Sequence, residues 1–495
     1  MTRCLRTIVF FTAAAAVLTA RAQAQVPFDE YFLDKALRFD LYQVGDAKDE
    51  IVTLDQIYQE EIWPESRTHL IDPFGYGHYA VKLYDVASNR LIYSRGFDST
   101  YAEYKTTTPA LDGVKRVFER SVRVPHPRRP FLFVIEARDK LHLLHPLFSR
   151  TVDPSDYHII RETTAAGDVI YEALKNGDPH EKVDFAFISE GYGAGDLDKF
   201  KADVDRISGY LFTVEPYKSA KDRFNIRGVF HASPERAMDE PRQRVYRKTA
   251  LNAAFNAFDL DRYMLIEEDH RMHEIAAEVP YDAIIVLVNS RRYGGGSIAI
   301  DYCVSTVDNA ASPQVLIHEL GHSFAGLADE YYTSEVSYND FYPKGVEPLE
   351  PNITALLDPA NIKWKDLLSP GIAVPTEYGK EKIEALMAER RKNREDQSRA
   401  VEDARKKGTG EAAVKKIEAK YRDADKAVAK KIDDVRHQYA SLEDKVGAFE
   451  GAGYAAKGLY RPMIYCIMIS SPKGEFCRVC QQAISRMIDY FSERN

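Results

Sequence analysis

Two histidines and a glutamate stand in the run VLIHELGHSFAGLADEY, residues 315–331. His318 and His322 are four apart. On a helix of 3.6 residues per turn they project from one face, one turn apart, and can grip a single Zn²⁺. Glu319 then stands beside the open position of such a metal. There it can take a proton from a water that the metal activates. A bare H-E-x-x-H also fits an amphipathic helix with two surface histidines, but the flanks argue otherwise. Val315, Leu316, Ile317, Leu320, Phe324 and Leu327 make the helix largely apolar and predict burial. Buried histidines and a buried glutamate require partners, and a metal supplies one. The spacing predicts a metallopeptidase centre.

A catalytic zinc usually takes three protein ligands and keeps one position open. The third must lie outside the H-E-x-x-H turn. Gly326 offers an exit from the helix, and three residues on stands Asp329. The logic is that of H-E-x-x-H-x-x-G-x-x-H, with one extra residue before the glycine. Asp329 is the expected ligand and Glu330 the alternative; the one left over would orient an imidazole. Tyr454, Tyr460 and Tyr331 are candidate donors to the oxyanion of a tetrahedral intermediate. Met468 stands where a methionine turn would support the metal from below, although methionine is also an ordinary core filler.

The chain resembles the IgA peptidase family of secreted zinc metallopeptidases. The likeness is carried by HELGHSFAGLADEYY (318–332), KVDFAFISEGY (182–192), DRFNIR (222–227), YGGG (293–296), FEGAGY (449–454), YRP (460–462), CIM (466–468) and FCRVC (476–480). Upstream, LRFDLY (37–42), LID (70–72), SRGF (94–97) and SVRVP (121–125) are similar to the family's accessory N-terminal domain. The resemblance implies a zinc-dependent peptidase. It does not imply immunoglobulin as the substrate.

The elements that must position these residues follow from pattern. Residues 1–24 read as a signal peptide: Arg3 and Arg6, an apolar stretch from Thr7 to Ala20, then Ala22-Gln23-Ala24 as a cleavage site. The expected location is periplasmic or extracellular, without stable membrane insertion. Residues 25–150 alternate like short strands, as in YAVKLYD (79–85) and FLFVIE (131–136), with turn residues between them. That predicts an all-β sandwich acting as an accessory domain. Residues 151–375 mix buried strands with helices and predict the first part of a zincin-like mixed α/β catalytic domain, completed by residues 447–495. Its YGGG segment is either a simple turn or the approach to an edge strand able to hold an extended peptide. Between 376 and 446 the chain turns rich in Glu, Lys, Arg and Ala. Val414, Ile417, Tyr421, Ala424, Val428, Ile432 (or Lys431), Val435, Tyr439, Leu442 and Val446 recur at spacings of three and four. This predicts a helical hairpin of coiled-coil type; its polarity also allows a solvated, partly disordered insertion. The fold class is α+β.

Net charge is −9 with both signs mixed, which disfavours nucleic acid as a partner. The expected partner is a protein or peptide substrate, host or extracellular glycoproteins included. Once the signal peptide is removed, Cys303, Cys466, Cys477 and Cys480 remain. An even count in an exported chain predicts structural disulfides, with a metal or redox role for the Cys-x-x-Cys pair as the alternative. Two functions stay open: an exported zinc endopeptidase, or a secreted binding protein with a structural metal site. The intact Glu319 favours the first, since a purely structural site needs no general base.

Overall fold

The structure is a computed structural model that describes residues 25–161, 167–332, 338, 341–469 and 474–492. The expected signal peptide lies outside the described residues. The first region begins with a short turn of helix, α1 (Phe28–Tyr31), and β1 (Phe32–Gly45). It continues through β2 (Glu50–Glu60), β3 (Tyr79–Asp85), β4 (Arg90–Phe97), α2 (Thr100–Tyr104), α3 (Thr108–Leu111), β5 (Arg116–Pro127), β6 (Phe131–Arg138), β7 (Leu144–Val152) and β8 (Ile160–Arg161). Two four-stranded sheets form, in the orders β5-β1-β2-β8 and β4-β3-β6-β7. Alternation dictates this: every second side chain of β3 turns inward, so Tyr79, Val81 and Leu83 are buried. They share one core with Phe39, Val122, Val124, Phe131 and Phe133. Phe39 and Phe133 stack with ring centroids 4.0 Å apart.

The next region is built on a six-stranded sheet. It comprises β9 (Val169–Leu174), β10 (Val183–Glu190), β11 (Phe224–Phe230), β14 (Ala283–Val288), β15 (Gly295–Ile298) and β16 (Tyr302–Thr306), in the order β15-β16-β14-β10-β11-β9. A two-stranded ribbon, β12 (Ala254–Phe255) with β13 (Met264–Leu265), lies beside it. Strands β10, β11, β14 and β16 run parallel, while β9 and β15 are antiparallel edges. The central strands are buried along their whole length. That is why they read as continuous apolar runs and not as alternating ones. Helices α4 (Leu197–Leu211), α5 (Asp269–Ala276) and α6 (Ser312–Ala325) connect and cover the sheet, and α6 lies against β15 and β16. Two long helices follow, α7 (Lys380–Lys406) and α8 (Glu411–Gln438), packed on each other. Along their contact Ala404, Val414, Val428 and Ile432 are buried, and Arg390 forks onto Asp425 at 2.8 and 2.6 Å. The chain closes with a hairpin, β17 (Phe449–Ala452) and β18 (Ala455–Arg461), and helix α9 (Arg478–Phe491).

Buried charges join the first region to the sheet that follows. Arg120 on β5 pairs with Asp301 and lies 3.7 Å from Asp269, and the Ser121 amide donates to Asp269 at 2.7 Å. The guanidinium of Arg123 stacks 3.6 Å over Tyr281. His273 adds an imidazole 3.3 Å from Asp301. Asp269, His273 and Asp301 have the look of a metal-ligating group, but Arg120 already supplies the positive charge there. Removing one partner of such a pair leaves a buried charge uncompensated, at a cost of about 3–5 kcal/mol. Arg120→Ala is therefore expected to lower the thermal unfolding temperature markedly. An unchanged melting curve by circular dichroism would show that this junction contributes nothing to stability.

Candidate metal centre

Helix α6 carries the two histidines because its buried face, Leu316, Ile317, Leu320 and Phe324, fixes its rotation against the sheet. It stops at Gly326, whose left-handed φ of 59° lets the Leu327 amide turn back onto the Gly321 carbonyl. The same reversal aims residues 327–331 back across the helix. The His318 and His322 Nε2 atoms stand 3.3 Å apart. Asp329 Oδ1 lies 3.0 Å from the first and 3.4 Å from the second. Donors around a tetrahedral ion with bonds of about 2.0–2.1 Å are separated by about 3.3 Å. Asp329 Oδ1 is buried and accepts no hydrogen bond. Both imidazoles engage their other nitrogen with the backbone, His318 Nδ1 with the Ile467 carbonyl at 3.0 Å and His322 Nδ1 with the Leu327 carbonyl at 2.5 Å. Those bonds place the ring protons on Nδ1 and leave Nε2 free to ligate. The three residues thus fit a cation, and the orphaned carboxylate oxygen calls for one.

Without a cation the cluster distorts its own titration. Burial opposes charge on His318, but the Asp329 carboxylate 3.0 Å away outweighs it and raises the imidazole to about 9. His322 is raised for the same reason. Burial works against the Asp329 charge too, yet the two imidazoles hold it far below the usual carboxylate range.

Glu319 lies in the same cleft, a cavity of about 440 Å³. Its Oε2 accepts a 2.7 Å hydrogen bond from the Ser297 hydroxyl on β15. The glycine-rich segment does lead to an edge strand, although Tyr263 already bridges to Gly295 and covers the start of that edge. Tyr454 is brought to the site, at the turn between β17 and β18. Its hydroxyl donates to Asp329 Oδ2 at 2.6 Å, so it holds the carboxylate. Tyr331 also lines the cleft, its ring stacked on His318 at 6.4 Å. Tyr460 is placed elsewhere: its backbone pairs with Thr354 and its side chain is not among those lining the cleft. Met468 packs under the helix, where a β-carbon at Gly321 would come within 2.8 Å of its sulfur. Glu330 points away from the histidines. It is fully buried and hydrogen-bonded by Asn352 at 3.1 Å, so the backbone sends the two neighbouring carboxylates to opposite sides.

Some cleft residues gave no sequence signal. Asp98 and Glu103 come from the first region, and Glu103 accepts 2.7 Å hydrogen bonds from Tyr263 and Tyr338. Burial pushes the Glu103 carboxyl up to about 7 against those bonds. Ser297 was likewise silent. A serine in a strand carries no mark of the helix it faces.

The cysteines correct an expectation. All four are buried and none is disulfide-bonded. Cys466 and Cys480 approach to 3.7 Å between sulfurs, far beyond the bond length of about 2.05 Å. Cys303 packs in the sheet core on β16, whereas Cys466, Cys477 and Cys480 cluster around Glu330. An even count misled because the cysteines divide three and one.

None of the curated proteins compared matches this chain. The model of the family described as IgA Peptidase M64 matches residues 171–488, and that described as Peptidase M64 N-terminus matches residues 27–149. With histidines, aspartate and glutamate gathered in the cleft inside the larger match, the chain belongs to the IgA Peptidase M64 family and is a peptidase acting on protein or peptide substrates.

Proposed function

We propose that the protein is an exported zinc endopeptidase with a zincin-like catalytic domain, and that His318, His322 and Asp329 hold the zinc. The observation that carries this reading is the convergence of three ligand atoms at 3.0–3.4 Å with Glu319 fixed beside them. Zinc bound there supplies Lewis acidity, which lowers the pKa of a water and polarises the scissile carbonyl. Glu319 removes the proton from the attacking water and delivers it to the departing amine. Ser297 holds Glu319 through Oε2 and leaves Oε1 to face the substrate. Tyr454 fixes Asp329, while Tyr331 over His318 is the phenol placed to donate to the oxyanion. Edge strand β15 offers its open part to an extended substrate backbone. The first region, with Asp98 and Glu103 in the cleft wall, positions the substrate. The α7–α8 pair is a coiled-coil insertion. Export rests on the charged start, apolar stretch and small-residue site of residues 1–24; among the described residues no helix is long and apolar enough to cross a membrane.

A secreted binding protein is the rival. It requires retention of ligand by the metal-free chain and no cleavage by the loaded one. Metal content and cleavage of a broad peptide library, read by mass spectrometry, separate the two. Glu319→Gln should retain one metal in the cleft and lose cleavage by at least ~10²–10⁴-fold in kcat/KM. Loss of metal and fold together would instead mark a structural site.

Tyr454→Phe should weaken metal binding ~10–100-fold and leave kcat near wild type once metal saturates. A drop in kcat at saturating metal, with affinity unchanged, would make Tyr454 the oxyanion donor. The free site also predicts a pH dependence. His318, raised to about 9, must lose its proton before it can ligate. Apparent zinc affinity is therefore expected to climb from about pH 6 until about 9 and then level. Chelator-competition titrations giving a flat profile over that range would refute the assigned ligands.

A further inference from the structure

Behind the cleft, Cys466, Cys477, Cys480 and Glu330 turn four ligand atoms toward one point, all within 4.8 Å of one another and all buried. The Cys466 and Cys480 sulfurs are 3.7 Å apart. Glu330 Oε1 lies 3.2 Å from the Cys480 sulfur and 3.8 Å from that of Cys477. Around a tetrahedral zinc, with Zn–S about 2.3 Å and Zn–O about 2.0 Å, sulfur–sulfur edges are about 3.8 Å and sulfur–oxygen edges about 3.5 Å. The Cys466–Cys480 separation matches the first edge, and the two sulfur–oxygen distances bracket the second. A disulfide would instead need two sulfurs in contact and would strand the third. Glu330 gives an independent sign: it is fully buried, and its Oε2 has no hydrogen-bond partner.

The surrounding backbone suits thiolates. The Cys477 amide points to the Cys466 sulfur at 3.2 Å, and the Cys480 amide to the Cys477 sulfur at 3.4 Å. Cys477 and Cys480 occupy the cap and first turn of α9, a fourteen-residue helix whose amino end favours negative charge. We propose that Glu330, Cys466, Cys477 and Cys480 form a second metal site, closed by four protein ligands and therefore structural, for one zinc-class divalent cation.

Its position gives it a task. Glu330 follows Asp329 directly, and its amide donates to the Met468 carbonyl at 2.8 Å. Cys466 precedes Ile467, whose carbonyl holds His318. The second ion therefore clamps together the two segments that set Asp329 and His318. It also ties the start of α9 to both.

Metal analysis of the full mature chain should find two ions, and the His318→Ala/His322→Ala variant should retain one. Cobalt(II) replacing the metal in that variant should show intense sulfur-to-cobalt charge transfer, absent from Cys466→Ser/Cys480→Ser. These readouts do not depend on peptide cleavage, so an inactive cleft would leave them intact. If the cysteine variant fails to fold, alkylation of the denatured wild type without reductant decides. Four labelled thiols and a cobalt–thiolate spectrum support the site. A disulfide among the three, or a histidine variant that folds but holds no metal, overturns it.

Discussion

Asp329 and Glu330 are adjacent carboxylates in a dry interior, one 5 % exposed and the other fully buried. Burying such groups is costly unless each meets donors or positive charge. Their side chains face opposite ways, Asp329 to the histidines and Glu330 to the cysteines, so this dipeptide must be served on two faces at once. Most of the site can be read as the answer to that constraint. On one face stand His318, His322 and the Tyr454 hydroxyl; on the other, Asn352 and three cysteines. The backbone of the segment is gripped as well: the Gly453 amide bonds the Asp329 carbonyl at 2.9 Å, the Tyr454 amide bonds the Tyr331 carbonyl at 3.0 Å, and the Glu330 amide bonds the Met468 carbonyl.

Those grips explain why distant parts of the chain converge here. The hairpin of β17 and β18 and the strip 466–468 come after the long helices α7 and α8, yet they complete a site begun at residue 318. Helix α6 delivers two histidines with the precision of its buried face. The carboxylate that joins them depends on contacts made more than a hundred residues later, Tyr454 to Asp329 among them. Helix α9 reaches back in turn to the first region, where the Tyr490 hydroxyl bonds the His69 carbonyl at 2.8 Å and Arg95 covers the ring of Phe491. The cleft is thereby braced from both ends of the chain, and its wall includes Asp98 and Glu103 from the first region.

The cysteines show how composition can point one way and packing another. Counting thiols in a chain whose first residues read as an export signal suggests pairing, because an oxidising compartment favours disulfides. Packing instead isolates Cys303 in the sheet and gathers the other three around a carboxylate. Three thiols and a carboxylate make a set suited to a soft tetrahedral ion, and the Cys-x-x-Cys spacing at the start of a helix was the visible trace of it.

Local chemistry was legible in the sequence wherever one segment carried it whole. His318, Glu319 and His322 share one helical turn, so helix periodicity alone set their common face; Gly326 marked the exit, and the apolar runs of β10 and β14 declared buried strands. The spacing also favoured Asp329 over Glu330. The tertiary structure alone decided what required two segments to meet: that Ser297 holds Glu319, that Tyr454 reaches Asp329 while Tyr460 stays out of the cleft, that Glu103 lines it, and that three cysteines face Glu330. The physical reason is the range of the forces involved. Propensity and periodicity act over a few residues, whereas a hydrogen bond or a ligand set across 125 or 150 positions depends on how the sheets and helices pack.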